Sequence, residues 1–398
     1  MSQKTSRRQF LQQTLNSTGY IALGTNISSM SAFANGELAS IIASYGTLQS
    51  ADANGVRLPS GFRSRIVATS GRRVSNSNYI WHRSPDGGAC FPTSSGGWIY
   101  TSNCEESRRN GGGASAIYFD ASGNITGARS ILTNTDRNCA GGATPWYTWL
   151  SCEEVDRGAV WETDPYGYYD AVERKALGYF KHEAAAVDPF NEIIYMTEDE
   201  RDGCLYRFIP SSGLPSRFNS SRLESGRLEV ALLNGSSVSW REVPTPNPSS
   251  SSTRTRYQVS DAYQFNGGEG IWYDNGYVFF ATKGDNRIWA LDTQTQIMYL
   301  VYDARTSNNP ILTGVDNITV SSTGDIVVAE DGGDMQIVIL DYSGNPTPLL
   351  QISGQSGSEI AGPAFSPDGN RLYFSSQRGY SSRSRYGITY EITGPFRG

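Results

Sequence analysis

The most reactive residues gather at 138–154, which reads Asn-Cys-Ala-Gly-Gly-Ala-Thr-Pro-Trp-Tyr-Thr-Trp-Leu-Ser-Cys-Glu-Glu. Two thiols, Cys139 and Cys152, share this run with two adjacent carboxylates, Glu153 and Glu154. Acids in related settings recur downstream as Glu183, Glu269 and Asp316, each opening an apolar run. Carboxylate oxygens suit Ca²⁺, whereas a thiolate among carboxylates favours a transition metal such as iron. Cys139 is the expected sulfur ligand, because Gly141-Gly142 lets backbone come close to a site. Other chemistries lack parts. With only His82 and His182, a three-histidine zinc site cannot form and a Ser-His-Asp relay has little support. No phosphate-cradling P-loop is present.

A repeat positions these residues. It consists of an apolar strand, a turn, a second strand ending in polar residues, and a third strand. The middle strands begin at Trp98, Trp149, Ile193, Val278, Ile326 and Leu372, so four of the five gaps span 44 to 51 residues and one spans 85. Strand repeats of roughly 40–50 residues point to an all-β, six-bladed β-propeller. The long gap holds residues 211–262, read as an insertion or loop because Pro244-Thr-Pro-Asn-Pro-Ser-Ser-Ser-Ser-Thr253 cannot be a strand. A seventh blade at 228–243 is the competing arrangement. In a propeller the start of the first strand and the end of the second meet at one mouth. Alignment by turns puts Cys90, Cys139, Glu183, Glu269, Asp316 and Gly362 at the first position. Glu105, Glu153, Glu198, Lys283, Glu330 and Gln377 fall at the second, each 14 or 15 residues later. Carboxylates so crowded repel one another and need cations. The candidate metal ligands from this register are therefore Cys139, Glu105, Glu153, Glu183, Glu198, Glu269, Asp316 and Glu330.

Bulk properties agree with an all-β protein that holds cations. Aromatics make up 12% of the chain, with 23 Tyr and 43 Gly, which suits short strands and tight turns. Residues 1–34 carry Lys4, Arg7 and Arg8 and no acid, leaving 30 bases against 39 acids beyond them, a net charge of −9. Such a charge argues against a nucleic-acid partner. No long apolar run follows the N-terminal region, so no transmembrane segment is expected. Ser6-Arg7-Arg8-Gln9-Phe10-Leu11 and the small-x-small Ala32-Phe33-Ala34 read as a twin-arginine export signal, residues 1–34, cleaved before Asn35. That route places a folded, cofactor-loaded protein in the periplasm or outside the cell. Residues 35–398 are then one propeller domain, expected to be monomeric, in which residues 35 to about 80, with short apolar stretches at 38–42 and 62–69, form an entry segment packing on the body. Five cysteines, Cys90, Cys104, Cys139, Cys152 and Cys204, leave at least one thiol unpaired.

The motifs Asn138-Cys139-Ala-Gly-Gly-Ala-Thr-Pro-Trp146, His182-Glu183-Ala-Ala-Ala-Val-Asp-Pro189, Glu198-Asp199, Glu269-Gly270, Asp316-Asn317 and Gly362-Pro-Ala-Phe-Ser-Pro-Asp-Gly369 together resemble the PhoX family of secreted alkaline phosphatases. The resemblance implies a metal-dependent phosphomonoesterase with Fe(III) and Ca²⁺ at the propeller mouth and a small phosphorylated substrate. It also implies Cys139, Glu183 and Glu269 as iron ligands, with Glu154, Asp316 and Glu330 in calcium or bridging roles. The candidate catalytic set is Glu183, Glu269, Lys283 and His182, with His182 read either as a donor to a bound anion or as a packed or solvent-facing histidine. The family pattern has arginines where this chain has Gly267 and Tyr179, which removes a bidentate phosphate clamp. Lys283, Arg201 and Arg378 stand near enough in the repeat to replace it. Two other readings fit the same acids: a calcium-dependent propeller lactonase, and a non-catalytic propeller that binds an anion or a protein.

Overall fold

The computed structural model describes residues 45–396, apart from residues 219 and 342. The export signal, the cleavage point before Asn35 and residues 38–42 lie outside them. The described residues form strands joined by turns and short 3-10 segments, with no α-helix. Many strands, such as Tyr277–Thr282 and Ile326–Glu330, are buried along their whole length. This is why they read as continuous apolar runs without polar alternation. Hairpin turns take the residues their backbone needs: Asn275 and Gly276 both have positive φ, 46° and 88°, and join Asp274 to Tyr277 in a two-residue turn.

Five hydrogen-bonded sheets result. The first contains Pro85–Pro92, Trp98–Cys104, Gly113–Phe119 and Ile125–Thr133. The second contains Asn138–Ala143, Trp149–Glu153, Val160–Thr163 and Val172–Glu173. Val315–Val320, Ile326–Glu330, Gln336–Leu340 and Pro346–Ile352 form another, with Val56–Arg57 on its edge. The last joins Ile360–Phe365, Arg371–Ser376 and Ile388–Thr393 to Arg63–Thr69. Arg63–Thr69, within the expected entry segment, is thus an outer strand that ties an early part of the described chain to its end.

The fold is all-β and propeller-like, but six separate blades do not form. Between the second and fourth of these sheets lies one of nine strands, running from His182–Asp188 to Gly268–Asp274. The insertion causes this. Residues 226–242 are a hairpin, Gly226–Asn234 with Ser237–Glu242, whose second strand pairs with the outer strand Ile297–Asp303 at Ser237 and Ile297. Val238 donates its N–H to Gln296 and Met298 donates to Ser236, each at 2.8 Å. So 211–262 is not merely a loop, nor does 228–243 make a seventh blade. The two ends of the nine-stranded sheet lie side by side, so it nearly closes on itself.

Each of the six innermost strands neighbours the next, and Ile360–Phe365 returns to Pro85–Pro92. Such convergence demands small residues. A Cβ on Gly87 would lie 2.5 Å from Ala140 Cα, and one on Gly270 2.5 Å from the Ile318 nitrogen. Away from the axis, apolar side chains fill the wedges between sheets, for example Leu150, Val160, Ile194 and Phe208 in one cluster. Burial of each such side chain contributes roughly 1.5–3 kcal/mol.

Candidate metal centre on the axis

The innermost strands share one irregularity. In five of them the first residue pairs with the end of the second strand, and then the register shifts: Pro85 with Cys104, Asn138 with Glu153, His182 with Glu198, Gly268 with Thr282 and Val315 with Glu330. The sixth shifts between Ala361 and Ala364. A β-bulge inserts a residue and re-aims its side chain. Here the residues after the first pair are Asp86, Cys139, Glu183, Glu269 and Asp316. The residues just past the second strands are Glu105, Glu154, Asp199, Lys283, Asp331 and Gln377.

Three groups of donors form, each with its atoms within 4.8 Å of one another: Cys139, Glu154 and Glu183; Glu183, Glu269 and Asp316; and Asp86, Glu105 and Glu359. Glu183 belongs to two of them, so seven carboxyls and one thiol crowd the axis. Burial, then the charges of Glu269 and Glu154, push the Glu183 carboxyl well above the usual range. Burial followed by the Glu105 charge pushes Asp86 up to about 8. Burial and then Asp86 push Glu359 up to about 9. Burial also raises the Cys139 thiol, helped by Asp86 and Glu183. Glu183 Oε1 is buried and meets no hydrogen-bond donor among the described residues. An orphaned carboxylate oxygen, a thiol and clustered acids are what a multi-metal site supplies, and the donor set fits one.

Cations and amides stabilise the rim. Lys283 Nζ lies 2.6 Å from Glu269 Oε1 and 3.7 Å from Asp331 Oδ2. Lys181 Nζ sits 2.8 Å from Glu154 Oε1 and 2.9 Å from Asp199 Oδ2. For Asp199 burial pushes upward, but the Lys283 and Lys181 ammoniums outweigh it and lower the pKa. Gln377 Nε2 donates to Asp86 and Glu105, and Arg378 donates to Glu359. Asn103, wholly buried, donates to the carbonyls of Cys139 and Ala140 and so fixes the bulge that carries the thiol.

The structure brings together Cys139, Glu105, Glu154, Glu183, Glu269, Asp316 and Lys283 from the residues singled out in the sequence. Four others fall elsewhere. Glu153 accepts backbone N–H bonds from Asp136 and Ala159. Glu198 accepts from the Arg256 guanidinium, the Cys204 N–H and the Tyr206 hydroxyl. Glu330 accepts from the N–H groups of Thr313 and Gln336. These three were aligned one residue too early, and in a strand one residue turns the side chain to the other face. His182 is buried against Phe180 and donates Nε2–H to the Gly178 carbonyl. Burial lowers its pKa to about 3, so it is neutral and committed, not a donor to a bound anion. Cys90 pairs with Tyr100 in mid-strand, and Asp86 takes the position expected for it. All five cysteines are free, with Cys104, Cys152 and Cys204 buried.

Asp86, Glu359, Asp199 and Asp331 were missed. Asp86 had a signal: Asp86-Gly-Gly-Ala repeats the acid-then-small pattern of Glu183-Ala-Ala-Ala. Glu359 has none, for it precedes its strand by one residue.

The fold and site define a propeller-like protein with a cluster of carboxylates and one thiol on its axis that could hold metal ions. The chain belongs to the PhoX alkaline phosphatase family, whose profile, described as alkaline phosphatase PhoX, matches residues 96–161 and 156–297. Among solved structures it is similar to Pseudomonas fluorescens PhoX in complex with vanadate, a transition state analogue, at 17% identity and a TM-score of 0.67 over 88% of this chain and 98% of that one. It is also similar to a Bacteroides thetaiotaomicron protein of unknown function, at 8% identity and a TM-score of 0.50 over 83% and 76% of the two chains. A gluconolactonase of Xanthomonas campestris reaches 12% identity and a TM-score of 0.46, covering 89% and 99%. No curated protein matches the sequence.

Proposed function

We propose that this chain is a metal-dependent phosphomonoesterase working at the acid cluster on its axis. The observation that carries this is Glu183, a buried carboxylate whose Oε1 meets no donor among the described residues and which is shared by two donor groups in a chain of the PhoX family. Cys139, Glu154, Glu183, Glu269 and Asp316 would hold iron and calcium together, and Asp86, Glu105 and Glu359 would hold a further calcium. Bound cations would reverse the negative potential of the cluster, activate an attacking oxygen and neutralise charge developing on the phosphoryl group. The protein's own cations then orient the ester. Lys283 and Lys181 face the site from its rim, 38% and 26% exposed. Arg137 and Arg378 flank the Asp86 group.

Lysine stands in for the arginines of the family pattern. A Cβ on Gly267 would lie 3.8 Å from the Lys283 Cβ and 3.3 Å from Asp199 Oδ1, so Lys283 is rooted beside the position that lacks the arginine. Tyr179 turns away, its hydroxyl donating to Glu173 at 2.6 Å. An ammonium is a point charge without a fork, so the substrate phosphate is held less directionally.

Natively purified protein should contain iron and calcium and hydrolyse p-nitrophenyl phosphate at alkaline pH, losing that activity on chelation. Metal-loaded protein inert towards mono- and diesters would overturn the reading. We also infer twin-arginine export from Ser6-Arg7-Arg8, with residues 35–398 acting as one domain. Lysine at both Arg7 and Arg8 should leave the enzyme in the cytoplasm.

A further inference from the structure

At the opposite ends of the inner strands from the metal centre, a groove of about 520 Å³ runs along the seam between the first two sheets. Tyr118, Tyr147, Tyr166 and Tyr168 line it, with Thr93 and Ser94 beside them. No ionic side chain is among its lining residues. Tyr147 and Tyr168 are 55% and 81% exposed, an unusual position for large rings with nothing to cover them.

The rings are held in place. Tyr147 occupies the left-handed region, at φ 65°, which is strained for an aromatic residue and needs outside support. That support is a buried ion pair. Glu162 accepts from Trp146 Nε1 and Thr148 Oγ1 in the same turn, and from both the Nε and NH2 groups of wholly buried Arg174. A second anchor carries Tyr166 and Tyr168. The Asp164 carboxylate accepts the N–H groups of Tyr166, Tyr168 and Tyr169 at 2.9, 2.7 and 3.1 Å. Tyr166 and Tyr168 lie nearly parallel, 5° apart with centroids 6.5 Å from each other. Tyr166 donates its hydroxyl to the Pro92 carbonyl, and Tyr118 donates to Pro165, so the seam is bolted from both sides.

We propose that this groove binds a neutral polysaccharide. Flat, rigid phenol rings cover the C–H faces of pyranose units at little entropic cost, and the hydroxyl rim meets sugar hydroxyls. Its volume falls in the ordinary range of ligand sites. The lining residues themselves carry no charge, and the Arg129 guanidinium beside them is engaged with the Gly167 carbonyl, so an uncharged ligand fits better than an acidic glycan, a nucleic acid or a basic peptide. Glycan bound here would hold the enzyme on a matrix while leaving the metal face open to solvent.

The test is native affinity electrophoresis of the metal-loaded protein in gels containing laminarin, xyloglucan or hydroxyethylcellulose, with alginate as the anionic control. At least one neutral polymer should retard migration. Tyr147→Ala and Tyr168→Ala should each weaken retention about tenfold, with phosphatase activity and melting temperature unchanged. Tyr168→Trp should retain binding, since it keeps a flat ring. The proposal fails if no neutral polymer retards the protein, if alginate retards it more, if the alanine variants migrate like the parent, or if these tyrosines prove to bind a protein.

Discussion

Glu153 and Glu154, Glu198 and Asp199, and Glu330 and Asp331 are neighbours in sequence with opposite fates. The first of each pair turns into its own sheet, where backbone amides or Arg256 satisfy it. The second lies just past the strand, beside the axis, where Lys181 bridges Glu154 and Asp199 and Lys283 reaches Asp331. The same functional group serves as a loop fastener at one position and as part of a charged site at the next. What separates them is local geometry: a fastener has its donors built in, whereas the axis cluster leaves oxygens such as Glu183 Oε1 without any among the described residues. Fasteners should therefore govern stability, and axis acids should govern activity and metal content.

The largest effect belongs to Glu183→Gln. Loss of a ligand shared by two donor groups should lower kcat at least about 100-fold, the upper end for perturbing even outer contacts of a metal site. Metal-free protein should melt no lower, because a buried carboxyl whose Oε1 meets no donor among the described residues is replaced by a neutral amide. Metal analysis, turnover and melting of the chelated protein measure all three. A stability loss without a loss of turnover would erase the distinction drawn here. Next comes Glu198→Ala, which leaves Arg256 buried beside Glu200 and Asp202 alone. The variant strands the buried Cys204 N–H and Tyr206 hydroxyl, at a cost of about 1–3 kcal/mol, readable as a lower denaturation midpoint, while turnover per folded molecule stays the same. Lys283→Ala should follow, with kcat/KM down about tenfold or more through loss of one charge-assisted bond to substrate. Lys283→Arg should recover most of it with metal content unchanged.

Much of this arrangement was legible in the sequence, and the failures have physical causes. The strand repeat and the acids Glu183, Glu269 and Asp316 stand out because each precedes small or apolar residues that must converge on the axis. Cys139 is marked by Gly141-Gly142, and a Cβ on Gly142 would come 2.0 Å from the Ala185 carbonyl oxygen. The register of the second strands was not legible. A bulge adds a residue to one strand without a side-chain signature, so turn-based alignment put Glu153, Glu198 and Glu330 on the axis in place of their successors. The fused sheet was hidden too, since the pairing of Ser237 with Ile297 joins segments sixty residues apart through the backbone bonds of Val238 to Gln296 and Met298 to Ser236, groups that any sequence possesses.

The smallest effect sharpens the comparison most. Burial pushes the Glu330 carboxyl up to about 7, against the opposing pull of the Thr313 and Gln336 N–H groups. A carboxyl raised above its unfolded value of about 4.3 contributes stability that is full below that pH and is lost as pH rises through about 7. Glu330→Gln removes the titration. At pH 5 the variant should be about 1 kcal/mol less stable, because an amide accepts from one of the two N–H groups and opposes the other. That deficit should shrink as pH rises to 8, where the native carboxylate bears the cost of buried charge. Melting curves at pH 5, 6, 7 and 8 trace this convergence, and chelator should leave it unmoved because Glu330 lies outside the three donor groups. If chelation instead shifts the Glu330→Gln curve relative to the parent, Glu330 belongs to the metal site and the division between fasteners and axis acids collapses.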